Sequence, residues 1–366
     1  MSLKKDRFSK KNVNFMRLAL NLASQMIGFT GTNPSVGCVI VKNDEIISIG
    51  QTSENGRPHA EINAIKSTRK SLKNASIYIS LEPCSHYGKT PPCTKAIIKS
   101  KIKKVFYAID DVDRRSSKKA YSILKQKKIL VNKNLLQNEA KQIYKSYFFN
   151  KKKEYPYVTG KIACSKDYHT SSKDKFISNN HSRKLSHLLR YKNNGILISS
   201  KTLNLDNSKL TCRLSGLEKY SPIRFILDKN LIIKNNRFLI KSSSKIKTHI
   251  FFNSAKPSKI KFLKKHGIKI HKSKLNNDYQ LDLKSILKKI KKLGVNHLLV
   301  EGGKILTSTF IKENLFNEFY LFKSSKKLAN KGKNNISRIL TKLNQKFDNK
   351  KKINTYLDKD EVINYY

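Results

Sequence analysis

Residues 59–93 constrain this chain more than any other stretch. They open with His59-Ala60-Glu61, pass through Leu81-Glu82-Pro83-Cys84, and end on Gly88-Lys89-Thr90-Pro91-Pro92-Cys93. One imidazole, two thiols and an unligated carboxylate are what a catalytic zinc site needs. Three protein ligands hold the ion and a fourth position stays open for water. Such an ion lowers the pKa of its water from about 15.7 to about 7, so hydroxide is available at neutral pH. His59, Cys84 and Cys93 are therefore the candidate ligands, and Glu61 the candidate catalytic proton carrier. The spacing also predicts local structure. Ala60 to about Lys70 reads as a helix, and Ile77–Leu81 as a strand running into Pro83-Cys84. A helix start and a strand end must then converge on one point.

In zinc deaminases the corresponding Glu is not a ligand, and the cysteines usually stand as P-C-x-x-C. Here the second cysteine comes later, after Gly88-Lys89-Thr90-Pro91-Pro92. With Thr32-Asn33-Pro34-Ser35-Val36-Gly37-Cys38 upstream, the segment PCSHYGKTPPC resembles the bifunctional deaminase-reductase family of riboflavin biosynthesis. The resemblance runs over essentially the whole chain and is most specific before residue 110. It implies a cytidine-deaminase-like three-layer α/β domain over 1–150 and a dihydrofolate-reductase-like α/β domain over 156–366. It also implies Zn²⁺ and NADPH as cofactors, a pyrimidine ribotide as substrate, and a homo-oligomer.

A chain of 366 residues has room for two cores, and 38% hydrophobic residues make it globular. No apolar run is long enough to cross a bilayer. The basic N-terminus lacks the apolar segment of a secretory signal. Five cysteines, two of them assigned to metal, suit a reducing cytoplasm. Cys38, Cys164 and Cys212 have no partner at metal spacing and read as packing residues. With 77 Lys and Arg against 25 Asp and Glu, the formal net charge is +52. That balance raises a nucleic-acid partner, but the lysines are spread along the whole chain amid Asn and Ile. A compositional bias, without specific nucleic-acid binding, is the preferred reading.

In order, the first half shows a helix over residues 14–27, a hairpin from Val36 through Ile47, the His59 helix and two strands. Segments at Tyr121–Gln126 and Ile129–Val131 and a helix over Leu135–Phe149 follow. The resemblance implies substrate contacts at Asn33 and Lys89. An Asn before Pro is also a turn former, and a Lys in this chain is also surface charge. The family has a His where Thr52 stands. Its Asp-Pro-Asn-Pro run is Asp110-Asp111-Val112-Asp113 here, keeping only the first position.

From Tyr157 strands and helices alternate, which predicts a buried, largely parallel sheet. No G-x-G-x-x-G is present; Glu301-Gly302-Gly303 before a helix is the cofactor signal. Leu205–Arg213 matches the family's D-N-P-x-L-T-x-R except for Ser208. The resemblance implies cofactor contacts at Ala163, Phe176, Thr202, Asp206 and Gly303. It implies substrate contacts at Asp174, Arg190, Leu210, Arg213 and Glu301. Guanidinium groups at 190 and 213 suit phosphate, and Asp206 or Lys161 is the proton source. The family's small turn residue is Tyr168 here, and its Pro-Lys-Leu-Gly edge is Lys323-Ser324-Ser325-Lys326. Two other readings remain: a deaminase with a degenerate reductase half, and an RNA or DNA deaminase.

Overall fold

The computed structural model describes residues 8–171 and 177–366. The chain divides into two compact units, Met1–Lys153 and Glu154–Tyr366.

In the first unit, helix α1 (Lys10–Gln25) precedes a hairpin of β1 (Gly37–Lys42) and β2 (Glu45–Gln51). Then come α2 (Ala60–Lys66), β3 (Ser76–Ile79), α3 (Cys93–Lys99), β4 (Lys104–Tyr107), α4 (Ala120–Gln126), β5 (Leu130–Lys133) and α5 (Gln137–Lys152). The sheet order is β2-β1-β3-β4-β5. The β1 strand is antiparallel to both neighbours, and β3, β4 and β5 are parallel. Helices α1 and α5 pack together, as do α2 with α3 and α3 with α4, giving the three layers. Helix α2 stops at Lys66, short of the expected Lys70. Ser67 ends it, its N–H bonding Asn63 O and its hydroxyl meeting Ser48 of β2, the strand on which α2 packs.

Two glycines set how closely the helices lie on the sheet. A Cβ on Gly37 would stand 2.0 Å from Ala19 O of α1. One on Gly50, paired with Cys38 across the hairpin, would stand 2.3 Å from Ala60 O and 2.5 Å from Ala64 N. Gly50 thus lets the first turn of α2 rest directly on β2.

The second unit holds β6 (Tyr157–Cys164), β7 (His169–Ser171), α6 (Asn180–Tyr191), β8 (Gly195–Ser199), α7 (Ser200–Asp206) and β9 (Ile223–Leu227). It continues with α8 (Phe238–Lys241), β10 (Thr248–Phe252), α9 (Pro257–Lys265), β11 (Lys269–Lys272), α10 (Leu283–Lys292) and β12 (His297–Glu301). It ends with α11 (Lys304–Lys312), β13 (Glu318–Lys323), β14 (Lys333–Asn335), α12 (Ser337–Lys346), β15 (Lys350–Lys352) and β16 (Glu361–Tyr365). The main sheet runs β11-β10-β9-β8-β12-β6-β13-β16-β15. It is parallel from β11 through β13, and β16 and β15 add an antiparallel edge. Alternate residues feed two cores: Leu197, Phe225, Leu298 and Val300 on one face, Ile196, Ile198, Ile226 and Leu299 on the other. Burial on both faces explains why β8 and the middle of β12 read as continuous apolar runs; β9 is interrupted by Arg224, which is fully buried and donates to Thr248 Oγ1, Ser242 Oγ and Leu239 O. The outer edge strand β15 is three exposed lysines, which blunts it against edge pairing.

Replacing Gly50 by Ala is expected to push α2 off the sheet, with an overpacking cost of about 1–3 kcal/mol. Urea unfolding of Gly50→Ala alongside its metal content tests this; an unchanged midpoint would mean that α2 is not seated through this contact.

Candidate metal centre and reductase cleft

His59 is the N-cap of α2, in extended conformation, so its imidazole stands at the helix entrance while Glu61 occupies the first turn. Asn63 anchors that turn, its Nδ2 donating to Gln51 O at 2.7 Å and Ser53 Oγ at 2.9 Å. Cys84 lies beyond the end of β3, and Cys93 is the first residue of α3. The candidate ligand atoms of His59, Cys84 and Cys93 lie within 4.8 Å of one another. His59 Nδ1 faces both sulfurs, at 3.6 Å from Cys84 and 3.4 Å from Cys93. The Cys93 backbone N–H donates to Cys84 Sγ at 3.2 Å.

The electrostatics fit a soft divalent cation. Hydrogen bonding with Cys93 outweighs burial and, with His59, holds the Cys84 thiol down at about 4. Cys93 is pushed well above the usual thiol range by Cys84 first and burial second. Two adjacent thiolates repel, and a divalent metal is the charge that reconciles them. Glu61 is 3% exposed. Burial, reinforced by the Cys84 charge, pushes its carboxyl up to about 7.

A cleft opens over these groups, lined among others by Asn33, Thr52, Arg57, Glu82, Arg115 and Lys151. Asn33 faces it with its Nδ2 tied to Gly56 O at 2.9 Å. Thr52 is buried, its hydroxyl accepting the Val36 N–H at 2.9 Å. Lys89 is exposed on the loop before Cys93 and is not among the lining residues. The altered 110–119 segment is held by a buried carboxylate that the motif leaves without a role. Glu82 accepts the N–H groups of Asp111, Lys118 and Ala120 at 3.0, 2.9 and 3.0 Å. Its adjacency to Pro83-Cys84 is the only sequence hint. Arg57, also on the cleft wall, carries no sequence signal in so basic a chain.

In the second unit, β8 leads on to β9 on its outer side, whereas β12, lying between β8 and β6, leads on to β13 beyond β6. Diverging connections at the carboxyl ends of neighbouring parallel strands leave a crevice, the usual ligand position in such sheets. A cleft of about 790 Å³ is found there, lined by Thr202, Leu227, Asp228 and Gly303. Thr202 and Gly303 approach closely: a Cβ on Gly303 would lie 3.5 Å from Thr202 Oγ1. Leu205, Ile232 and Ile305 line the same cleft while 83%, 50% and 72% exposed. Asp206 ends α7 and is exposed, and Ala163 is half-buried on β6; neither lines this cleft. Asp174 and Phe176 lie outside the described residues.

A second cluster joins β12 to α6. Arg190 grips Glu301 through two bonds, Nε–Oε1 at 2.7 Å and Nη2–Oε2 at 2.8 Å, and donates a third to Thr211 O at 3.1 Å. Burial pushes the Glu301 carboxyl up, but Arg190, with Lys161 adding, outweighs it and holds the group at about 2. Burial draws Lys161 below the usual lysine range while Glu301 opposes it. Arg213 is exposed, with one 3.4 Å contact to Thr211 Oγ1, so of the two guanidiniums it has more donors free. Leu210 is fully buried in left-handed conformation, at φ 56°, with its side chain in the core. Two departures from the family pattern meet in space. Tyr168 keeps the left-handed turn at φ 67° despite its bulk. Lys323 lies 4.8 Å from its ring centre and donates to its hydroxyl at 3.2 Å.

Residues 9–109 match the cytidine and deoxycytidylate deaminase zinc-binding region. Residues 156–350 match the RibD C-terminal domain. The riboflavin biosynthesis protein RibD of Aquifex aeolicus is 35% identical over 312 residues, 84% of this chain and 85% of that one. The chain belongs to the RibD family. The Escherichia coli RibD is 30% identical over 331 residues, 86% of this chain and 88% of its own. A Thermotoga maritima structure, described as a diaminohydroxyphosphoribosylaminopyrimidine deaminase and 5-amino-6-(5-phosphoribosylamino)uracil reductase, covers 97% of this chain and 98% of its own. It superposes with a TM-score of 0.79 at 27% identity. This RibD-family chain thus has the deaminase-like fold followed by the RibD reductase fold. Among the described residues, no helix is long and apolar enough to cross a membrane.

The Arg190–Glu301 pair yields a signed pH test. A carboxyl held at about 2 rather than its usual 4.5 stabilises the fold above its unfolded value. That contribution is lost as pH falls from about 4.5 toward about 2. Arg190→Met leaves the carboxylate buried and unpaired, at a cost on the order of 3 kcal/mol near neutrality. The deficit against wild type should shrink as pH drops below about 4.5. Urea unfolding at pH 7 and pH 3.5 measures it; a pH-independent deficit would contradict the assignment.

Proposed function

We propose that this chain catalyses two consecutive steps on one pyrimidine ribotide in riboflavin synthesis. The first unit removes the ring amine of 2,5-diamino-6-ribosylamino-4(3H)-pyrimidinone 5′-phosphate by hydrolysis, releasing ammonia. The second reduces the ribosyl group of the product to ribityl with NADPH. The observation that carries the reading is the mutual 4.8 Å approach of His59, Cys84 and Cys93, with Glu61 buried beside them.

His59, Cys84 and Cys93 would hold the zinc, which when bound supplies an acidified water at the open fourth position. Glu61 would take a proton from the attacking water and pass it to the ring nitrogen, then take the remaining proton of the same oxygen and pass it to the departing amine. Burial keeps bulk water from competing for these transfers. Asn33 offers the pyrimidine edge a donor and an acceptor, and Lys89 contributes charge toward the ribose phosphate.

In the second unit NADPH, when bound, supplies the hydride. Thr202 and Gly303, with the exposed Leu205, Ile232 and Ile305 that line the same crevice, would hold the dinucleotide. Ala163, Phe176 and Asp206 are assigned as further contacts to the cofactor. Asp174, Leu210, Arg213, Arg190 and Glu301 are assigned to the substrate, with Arg213 the readier phosphate donor. Lys161 is the better proton source than Asp206. Its ammonium is weakened by burial and faces Glu301, whereas Asp206 is solvent-exposed. The enzyme acts in the cytoplasm, as a homo-oligomer, without a nucleic-acid partner.

Supplying the zinc-loaded protein with the diamino ribotide and NADPH, and following ammonia and NADPH oxidation separately, tests both halves. Glu61→Gln should retain its zinc and lose ammonia release by about 10²–10⁴-fold. It should still oxidise NADPH when given the deaminated ribotide. Wild-type ammonia release from RNA but not from the ribotide would favour a nucleic-acid deaminase, and ammonia without NADPH loss a degenerate second half.

A further inference from the structure

His59 presents its two ring nitrogens to different neighbours. Nδ1 faces the sulfurs, so Nδ1 is the atom available to a metal. A metal-bound imidazole carries its proton on the other nitrogen, which normally donates to a carboxylate, carbonyl or water. Here the group facing Nε2 is Arg57 Nη1, 3.4 Å away. Guanidinium is all donors and has no acceptor. With Nδ1 committed, donor meets donor, and only an acceptor oxygen shared between them satisfies both.

Arg57 has one further polar partner, Thr90 Oγ1 at 2.7 Å, and no carboxylate pairs with it among the described residues. The other cleft cations differ: Arg115 and Lys151 both close on Asp113, at 2.7 and 2.9 Å. The Arg57 guanidinium lies along Gly88, where an added Cβ would stand 3.7 Å from Nη2. Lys89, between Gly88 and Thr90, is exposed on the same loop. Thr90 accepts from Arg57 and keeps its own hydroxyl proton to donate. Three donors and an unneutralised charge therefore converge on one side of the metal cleft.

We propose that Arg57 is the specificity residue that recognises the substrate's 5′-phosphate in the first unit, with His59 Nε2–H and the Thr90 hydroxyl completing an anion cradle. The inference rests on the deaminase reading above. A planar fork matches phosphate oxygens better than a point charge does. Arg57 thus supplies the phosphate contact from the residue pair preceding His59, where Lys89 alone reaches into solvent.

The test uses full-length, zinc-loaded Glu61→Gln protein, which binds without turnover, and calorimetric dissociation constants for the ribotide and its dephosphorylated riboside. The ribotide should bind about ten- to a hundredfold more tightly. Adding Arg57→Gln should remove most of that preference while riboside affinity and zinc content stay unchanged. Arg57→Lys, which keeps the charge without the fork, should fall between and guards against a folding defect. Equal weakening of both ligands, or loss of zinc, would make Arg57 a support for His59 and overturn the proposal. Undiminished ribotide affinity would overturn it too. Phosphate-dependent binding combined with no ammonia release by the wild-type protein would support the cradle and sink the deaminase reading, so the two failures are distinguishable.

Discussion

Two sulfurs and an imidazole nitrogen held within 4.8 Å of one another set the terms for the first unit. Each comes from a different place in the chain: the entrance of α2, the exit from β3 and the start of α3. Their convergence depends on backbone distances shorter than side chains ordinarily allow. Glycine at position 50 brings Ala60 onto the sheet, and with it the residues on either side, His59 and Glu61. The register of β1 against β2 and β3 then carries that placement to the strand end from which Cys84 departs.

The second unit is organised around charge as well as packing. An arginine and a glutamate buried between α6 and β12 satisfy each other by two parallel hydrogen bonds. Lys161, on the neighbouring strand, feels both. Such a pair is costly to desolvate and strongly destabilising to break, so its retention fits a site that must hold polar groups in a fixed arrangement. Elsewhere in this unit two residues that the family resemblance leaves unexpected are coupled. Tyr168 and Lys323, each unusual alone, contact one another. In the first unit Glu82 similarly knits a segment that lacks the family's prolines and glycines.

The convergence of His59, Cys84 and Cys93 was legible because their chemistry is rare and their order distinctive. The three-layer fold and the parallel sheet were legible because Val36–Val41 and Gly195–Ser199 are apolar runs and Ile223–Leu227 is apolar but for Arg224. Other features had no local signature. Glu82 acts through backbone N–H groups that are distant in sequence. The end of α2 involves Ser67 meeting Ser48 on the strand beneath the helix. That Arg190 is bound to Glu301 rather than open to phosphate follows from a strand order no short motif encodes. Arg57 was hidden by composition, one cation among 77, and acquires meaning only from what stands beside it. Lys89 shows the converse: its place in the motif suggested the cleft, and its side chain is exposed.

The charge excess is spread over both units, down to an edge strand made of three lysines. Against that background Arg190, Glu301 and Glu82 stand out as charges held by hydrogen bonds. The account therefore depends on one coordination sphere. Zinc-edge X-ray absorption of the zinc-loaded protein tests it most directly. Two sulfur neighbours at about 2.3 Å and two lighter ones at about 2.0–2.1 Å are expected. A shell without sulfur, with four sulfurs, or a protein that binds no zinc at all would contradict it.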